Sequence, residues 1–215
     1  LLESQGAVLV PVTLPDPLDN LWPVMGPVVH ADFGPENEAY LAERGADAPQ
    51  TLPDQIAGAE SSPVASSATP LNPARIDGFR DAMAAGGYAS AERQKSRDVL
   101  MPDVRRKLHA ILDEDRLDGL VFPTLPCPAS PRHDAEDASY TCEIDDPYRP
   151  CYIASTSGFP EITVPAGFTA RDAMPVGLSF LGRPFSETDL VAMARDFEEA
   201  AQALRASAST PVLGP

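Results

Sequence analysis

The sequence predicts an α/β protein. Short apolar runs rich in β-branched residues alternate with longer stretches of helical periodicity. Gly and Pro punctuate the boundaries between them. At 215 residues, 43% hydrophobic and 22% charged, the chain has the balance of a globular protein able to bury one sizeable core.

The elements read in order as follows. Ala7 to Val12 (AVLVPV) follows a glycine and reads as a buried strand, with Pro11 placing it at a strand end or sheet edge. Pro15 to Pro27 holds four prolines and reads as an irregular connection with a helical turn. Ala31 to Arg44 has a helical pattern with Tyr40 and Leu41 turned to the core and Gly45 as C-cap. Pro53 to Ala57 starts a short helix, and residues 61–70 form a Ser/Ala/Pro-rich linker. Pro73 to Ala85 is a helix closed by Gly86 and Gly87. The longest helical region is Tyr88 to Arg116, where Leu100, Val104, Leu108, Ile111 and Leu112 share one face. Pro102 must kink that helix or split it.

Gly119 to Phe122 reads as a buried strand ending at Pro123. Thr124 to Pro150 is a long loop rich in Pro, Asp and Tyr, a kind of segment that is often functional. Glu161 to Val164 is a strand closed at both ends by Pro160 and Pro165, and Val176 to Leu181 is another. Ser186 to Arg205 is an amphipathic helix with Leu190, Met193, Phe197 and Ala200/Ala201 inward. Ser186 and Asp189 have capping-box spacing. The tail from Ser207 is expected to fray.

Charge narrows the function. Thirty-two acidic against 16 basic residues give a net charge of −16, which repels phosphate backbones and disfavours nucleic acid and anionic membranes as partners. No apolar run approaches the ~20 residues of a membrane span. Cys127, Cys142 and Cys151 are too few and too odd in number for a secreted disulfide framework. Each reads as a plain buried or half-buried thiol in a cytoplasmic protein. The gaps among Cys127, His133, Cys142 and Cys151 contain no tight C-x-x-C pair, so no structural metal is expected. The acidic cluster Asp134, Glu136, Asp137, Glu143, Asp145, Asp146 reads as a solvated loop face without EF-hand order. No G-x-S-x-G, S-x-x-K, H-E-x-x-H or phosphate-binding glycine motif occurs.

Three blocks from Asp118 onward carry a resemblance. DGLVFPTLPCPAS, then STSGFPEITVPAGF (Ser155 to Phe168), then MPVGLSFLGRPFSETDLVAMARDFEEA (Met174 to Ala200) occur in the order and spacing of the amidase signature family. GAVLVPVTLP (Gly6 to Pro15) and the Tyr40-Leu41 helix also fit, and the YLA and PxTL segments resemble the branch holding linear-amide and cyclic-dimer hydrolases. The resemblance implies the C-terminal part of a mixed-sheet α/β fold with helices on both faces. It places residues 1–215 as one portion of a single amidase-signature domain. It also implies amide C–N hydrolysis through a serine, a second serine with a cis peptide, and a lysine, with no metal and no cofactor.

This chain has no Gly-Gly-Ser-Ser-Gly-Gly-like run, and neither Lys95 nor Lys107 ends an apolar strand. Without a base a hydroxyl is not activated. The chain alone is therefore expected to be inactive, the start at Leu1 is expected to be a truncation, and the missing N-terminal half is the expected partner. Ser155 and Glu161 stand where the family commonly has Asn and Ala. Thr124, Cys127, Ile153 and Thr156 adjoin predicted strands and are the candidate residues for binding a small-molecule amide in the intact parent. Two alternatives stay open: a non-catalytic scaffold or binding subunit, and the A subunit of a transamidase-type enzyme.

Overall fold

A computed structural model describes residues 1–45, 48–171 and 173–205. The fold is mixed α/β. The described residues form two compact units. One contains Leu1–Asp19, Arg105–Pro131 and the described residues of Asp137–Pro215; the other contains Asn20–Val104 and Arg132–Glu136. The tail from Ser207 lies outside the described residues.

The second unit is helical: α1 (Trp22–Ala42), α2 (Leu52–Glu60), α3 (Ser62–Ala65), α4 (Pro73–Ala84) and α5 (Ala91–Lys95). Helix α1 begins nine residues before the predicted Ala31 and carries Pro27 and Pro35 inside it. Burial of Val24, Ala31 and Gly34 along one side outweighs the two lost backbone hydrogen bonds. The expectation that Tyr40 faces the core is corrected. Tyr40 is exposed, with the Arg44 guanidinium 4.4 Å from its ring centroid, an amphipathic side chain at the fraying end of a helix. Residues 61–70, read as linker, include the short helix α3. Helix α2 starts with a capping box between Thr51 and Asp54. Phe33 stacks on Phe79, and Arg93 pairs with Asp32.

Pro102 neither breaks the long helix nor merely bends it. Ser96–Leu100 forms a π turn between α5 and α6 (Met101–Glu114). Met101 N–H donates to Ser96 O, one residue further back than in an α-helix. The widened turn takes up the mismatch created by a proline without an N–H. The predicted stripe is correct at its centre, since Val104, Leu108 and Leu112 are fully buried.

The first unit holds the sheet: β1 (Leu120–Pro123), β2 (Glu161–Phe168) and β3 (Pro175–Leu181), antiparallel in the order β1-β3-β2. Pro165 does not end β2 as expected. The strand continues through a bulge at Pro165/Gly167, where Gly167 takes φ +130°. Helix α8 (Glu187–Ala201) covers one face. There Val164, Phe180, Leu190, Ala194 and Phe197 make the core, with Phe180 edge-on to Phe197 at 5.9 Å. Ser186 forms no side-chain cap; its hydroxyl donates to Arg183 O, so the predicted capping box is absent.

Ala7 to Val12 is not a strand. It lacks ladder partners among the described residues, and Val8, Leu9 and Val10 are exposed. A strand pattern fixes a preference, and only a neighbouring strand realises it. No described helix is long and apolar enough to cross a membrane.

Candidate functional site

Strand alternation divides the sheet into two chemically different faces. Ile162, Val164 and Phe180 point toward α8. Thr163 on β2 and Ser179 on β3 stand directly opposite each other on the other face. Thr124, just beyond β1, joins them because its N–H donates to Gly177 O at 3.0 Å. Three hydroxyls converge there. Ser179 Oγ lies 2.8 Å from Thr124 Oγ1 and 3.0 Å from Thr163 Oγ1, and Thr124 Oγ1 donates to Thr163 Oγ1 at 3.4 Å.

Gly177 makes this approach possible. A Cβ there would sit 2.9 Å from both Thr124 Oγ1 and Thr163 Cγ2. Cys151 opens α7 (Cys151–Ser157), and its Sγ donates to Thr124 O at 3.4 Å. Arg105 Nε donates to Ser157 O at 2.6 Å and fixes the other end of that helix, where Gly158 turns the chain with φ +71°.

Glu161 shares the hydroxyl face of β2, two residues before Thr163. Burial pushes its carboxyl above the usual range, while the Ser179 hydroxyl pulls it back. Burial also pushes the Cys151 thiol up, and the nearby Glu161 charge adds to this. Tyr152 is pushed up to about 12, mainly by burial and then by Asp146. A thiol shifted upward is a poor nucleophile at neutral pH. Lys107 Nζ donates to Asp16 O at 2.6 Å. The cluster is equipped to hold and orient polar groups through its three hydroxyls and the Glu161 carboxyl.

Glu161 gives a signed test. A carboxyl whose folded pKa is raised contributes stability in its protonated form, and loses it as pH rises through the folded pKa. Glu161→Gln imitates the protonated form. It is expected to raise the melting temperature at pH 7 by a few degrees at most, with the gain vanishing below about pH 4. A lower melting temperature at pH 7, or a gain that persists in acid, would contradict this account.

The structure disperses the residues predicted from sequence. Thr124 belongs to the hydroxyl cluster. Ile153 is 3% exposed and lines a 210 Å³ cavity with Val12, Leu14, Leu18, Phe122 and Arg149. Thr156 is fully buried, and its hydroxyl has no hydrogen-bond partner among the described residues. Cys127 is bonded to Cys142 in a disulfide, with Cα atoms 5.5 Å apart. The reading of Cys127 and Cys142 as plain thiols is thus corrected, whereas Cys151 is free. Sequence spacing cannot reveal such a pairing, because the loop between the two cysteines must fold back first. Thr163 and Ser179 belong to the cluster without being singled out in the sequence reading, and Glu161 enters that reading only as a departure from the family pattern. Their signal is the polar alternation in E-I-T and G-L-S, hidden when both segments are read simply as buried strands.

Comparison with known proteins places these features in context. The model of the family Amidase matches residues 1–191. The A subunit of glutamyl-tRNA(Gln) amidotransferase from Myxococcus xanthus is 35% identical over 126 residues, covering 57% of this chain and 24% of that protein. Its counterpart of the same name from Methanosarcina mazei is 36% identical over 84 residues, covering 39% of this chain and 17% of that protein. Among solved structures, native peptide amidase from Stenotrophomonas maltophilia superposes with a TM-score of 0.72 at 28% identity. That match covers 94% of this chain and 38% of that one. An amidase family protein from Bacillus anthracis, at 17% identity and TM-score 0.63, shows the shared fold alone. The chain thus spans about a quarter of the Myxococcus protein and under two-fifths of the peptide amidase.

Proposed function

The chain belongs to the Amidase family, and from that premise we propose that it is the C-terminal portion of a hydrolase cleaving an amide C–N bond. The reaction would run through an acyl-enzyme at a serine–cis-serine–lysine site that these residues do not contain. One observation carries this reading: nearly all of the chain superposes on a peptide amidase of which it covers 38%. The hydroxyl cluster, with the Glu161 carboxyl beside it, would then form a wall against which a small-molecule amide is oriented. Thr124, Cys127, Ile153 and Thr156 remain the proposed substrate-side residues, joined by Thr163, Ser179 and Glu161. The substrate is a linear or cyclic amide, and the partner is the remainder of the amidase domain.

A second reading has its own support. The curated relatives named above are transamidase subunits by name. The net charge of −16 favours the hydrolase, because a protein that handles tRNA must approach a polyanion. Compartment also has opposing indications: the sparse cysteines favour the cytoplasm, and the Cys127–Cys142 bridge favours an oxidising one.

The isolated chain is expected to show no serine labelling by a fluorophosphonate probe above background. Stoichiometric labelling of one serine would place a working nucleophile in these residues and overturn the proposal. In the intact protein, release of ammonia from a simple peptide amide without tRNA supports the hydrolase. Amide transfer that requires a charged tRNA supports the transamidase.

A further inference from the structure

Arg149 stands just before α7 and is half-buried. Its Nε is sealed from solvent and has no hydrogen-bond partner among the described residues. Leaving such an N–H unmet is costly, so each case in a folded protein calls for a partner. The chain does not lack carboxylates to supply one, with 32 acidic residues against 16 basic. Asp146, in the same turn, is engaged elsewhere: its carboxylate accepts from Tyr148 N–H at 3.0 Å and from Tyr152 O–H at 3.4 Å. Arg93, Arg132, Arg183 and Arg195 each hold a carboxylate in an ion pair, and Arg149 forms none with any described residue.

The same residue borders the 210 Å³ cavity that Ile153 lines. The rest of the wall is apolar apart from the exposed Asp19, and includes Val12, Leu14, Leu18 and Phe122. Phe122 stands opposite Ser179 in the ladder, so it lies on the face that carries the three hydroxyls. The cavity and the hydroxyl cluster are therefore neighbours on one face of the sheet. An apolar cavity of about 150 Å³ takes a benzene ring, so this one has room for a short carbon chain and its end group. A neutral ligand would leave the cationic fork unmatched, whereas a carboxylate meets it with charge and paired hydrogen bonds.

We propose that this cavity is a carboxylate subsite, in which Arg149 holds the acid group of the substrate and a short apolar chain lies along Leu14, Leu18, Phe122 and Ile153. The amide end then reaches toward Thr124 and Ser179, whose hydroxyls orient it. The proposal rests on the hydrolase reading above and narrows its substrate class to amides that carry a carboxylate a few carbons from the bond that breaks. Arg149 binds and does not react, so its role is to set specificity.

The test uses the intact protein and two probes with no bond to hydrolyse, δ-acetylvalerate and methyl pentyl ketone. They share a carbonyl and a carbon chain, and differ only in a carboxylate against a methyl at the far end. Ligand-observed NMR titration at constant ionic strength is expected to show the carboxylate probe binding tighter by about tenfold or more, the worth of one charged hydrogen bond. Arg149→Gln should erase that preference, and Arg149→Lys, which keeps the charge and loses the fork, should keep part of it. Arg195→Gln removes the same charge from an exposed ion pair on α8 and should leave the preference intact. Circular dichroism melts matching the parent confirm that the variants fold, and the two probes on the parent with Arg149→Lys decide the matter if Arg149→Gln does not fold. Failure of the carboxylate probe to bind, equal affinity of the two probes, or a preference that survives Arg149→Gln overturns the proposal. Equal affinity is also the result if a carboxylate from the rest of the domain occupies Arg149. An Arg149-dependent preference in a protein that releases no ammonia from adipic acid monoamide sustains the subsite and sinks the hydrolase reading. Ammonia released equally from adipic acid monoamide and hexanamide, with no preference between the probes, does the reverse.

Discussion

Phe180→Ala is expected to destabilise the sheet-bearing unit by about 3–5 kcal/mol, the usual cost of emptying a buried phenylalanine site. Phe180 is 5% exposed and sits between Val164 on β2 and Leu190, Ala194 and Phe197 on α8. Its removal leaves a void that a two-layer packing of sheet on helix cannot close without moving α8, and it ends the edge-on contact with Phe197. A domain has only about 5–15 kcal/mol in hand, so the variant should be close to unfolding at physiological temperature. Val121→Ala makes the internal control. Val121 lies opposite Phe180 in the ladder but is 38% exposed, so its truncation should cost under about 1 kcal/mol. Urea midpoints followed by near-ultraviolet circular dichroism read both. Equal shifts in the two variants would mean that this face is not the core of the unit.

Breaking the Cys127–Cys142 bridge is expected to have the next largest effect. The bridge closes a span of 15 residues, and a loop of that length constrains the unfolded chain by about 3 kcal/mol. The residues between the two cysteines are mostly exposed and form no helix or strand, so little else offsets its loss. Reduction with a dithiol, or the double substitution Cys127→Ser with Cys142→Ser, should lower the melting temperature by roughly 6–12 °C. Thiol counting supplies a check that needs no melt. The unreduced, denatured chain should titrate one thiol, that of Cys151, and the reduced chain three. Three thiols without reduction would show that the bridge is absent and would restore the reading of three separate cysteines.

How much can be read from the sequence varies by element and follows from the range of the forces involved. Helix α8 is legible because Leu190 and Phe197 recur on one face, and that local pattern needs nothing from the rest of the chain to be seen. The stripe of Val104, Leu108 and Leu112 is legible for the same reason. Helix α1 is only half legible. Its prolines argue against a helix locally, and the burial of Val24, Ala31 and Gly34 overrides them through contacts distant in sequence. Ala7 to Val12 fails in the opposite sense, since its strand composition finds no strand beside it among the described residues.

The α/β class, the amidase resemblance in three ordered blocks, the absence of a serine signature and the strongly acidic character all reside in residue identity and short spacing. None of them needs a fold to be read. The remaining features exist only once the chain has folded. Folding brings Thr124, Thr163 and Ser179 within hydrogen-bond distance across positions 39 and 55 residues apart from Thr124. It joins Cys127 to Cys142 and buries Thr156. The physical reason is that a hydroxyl, a thiol or a backbone N–H acquires its role from the partner it meets. In this chain those partners are supplied by strand register and loop closure, neither of which the local sequence encodes.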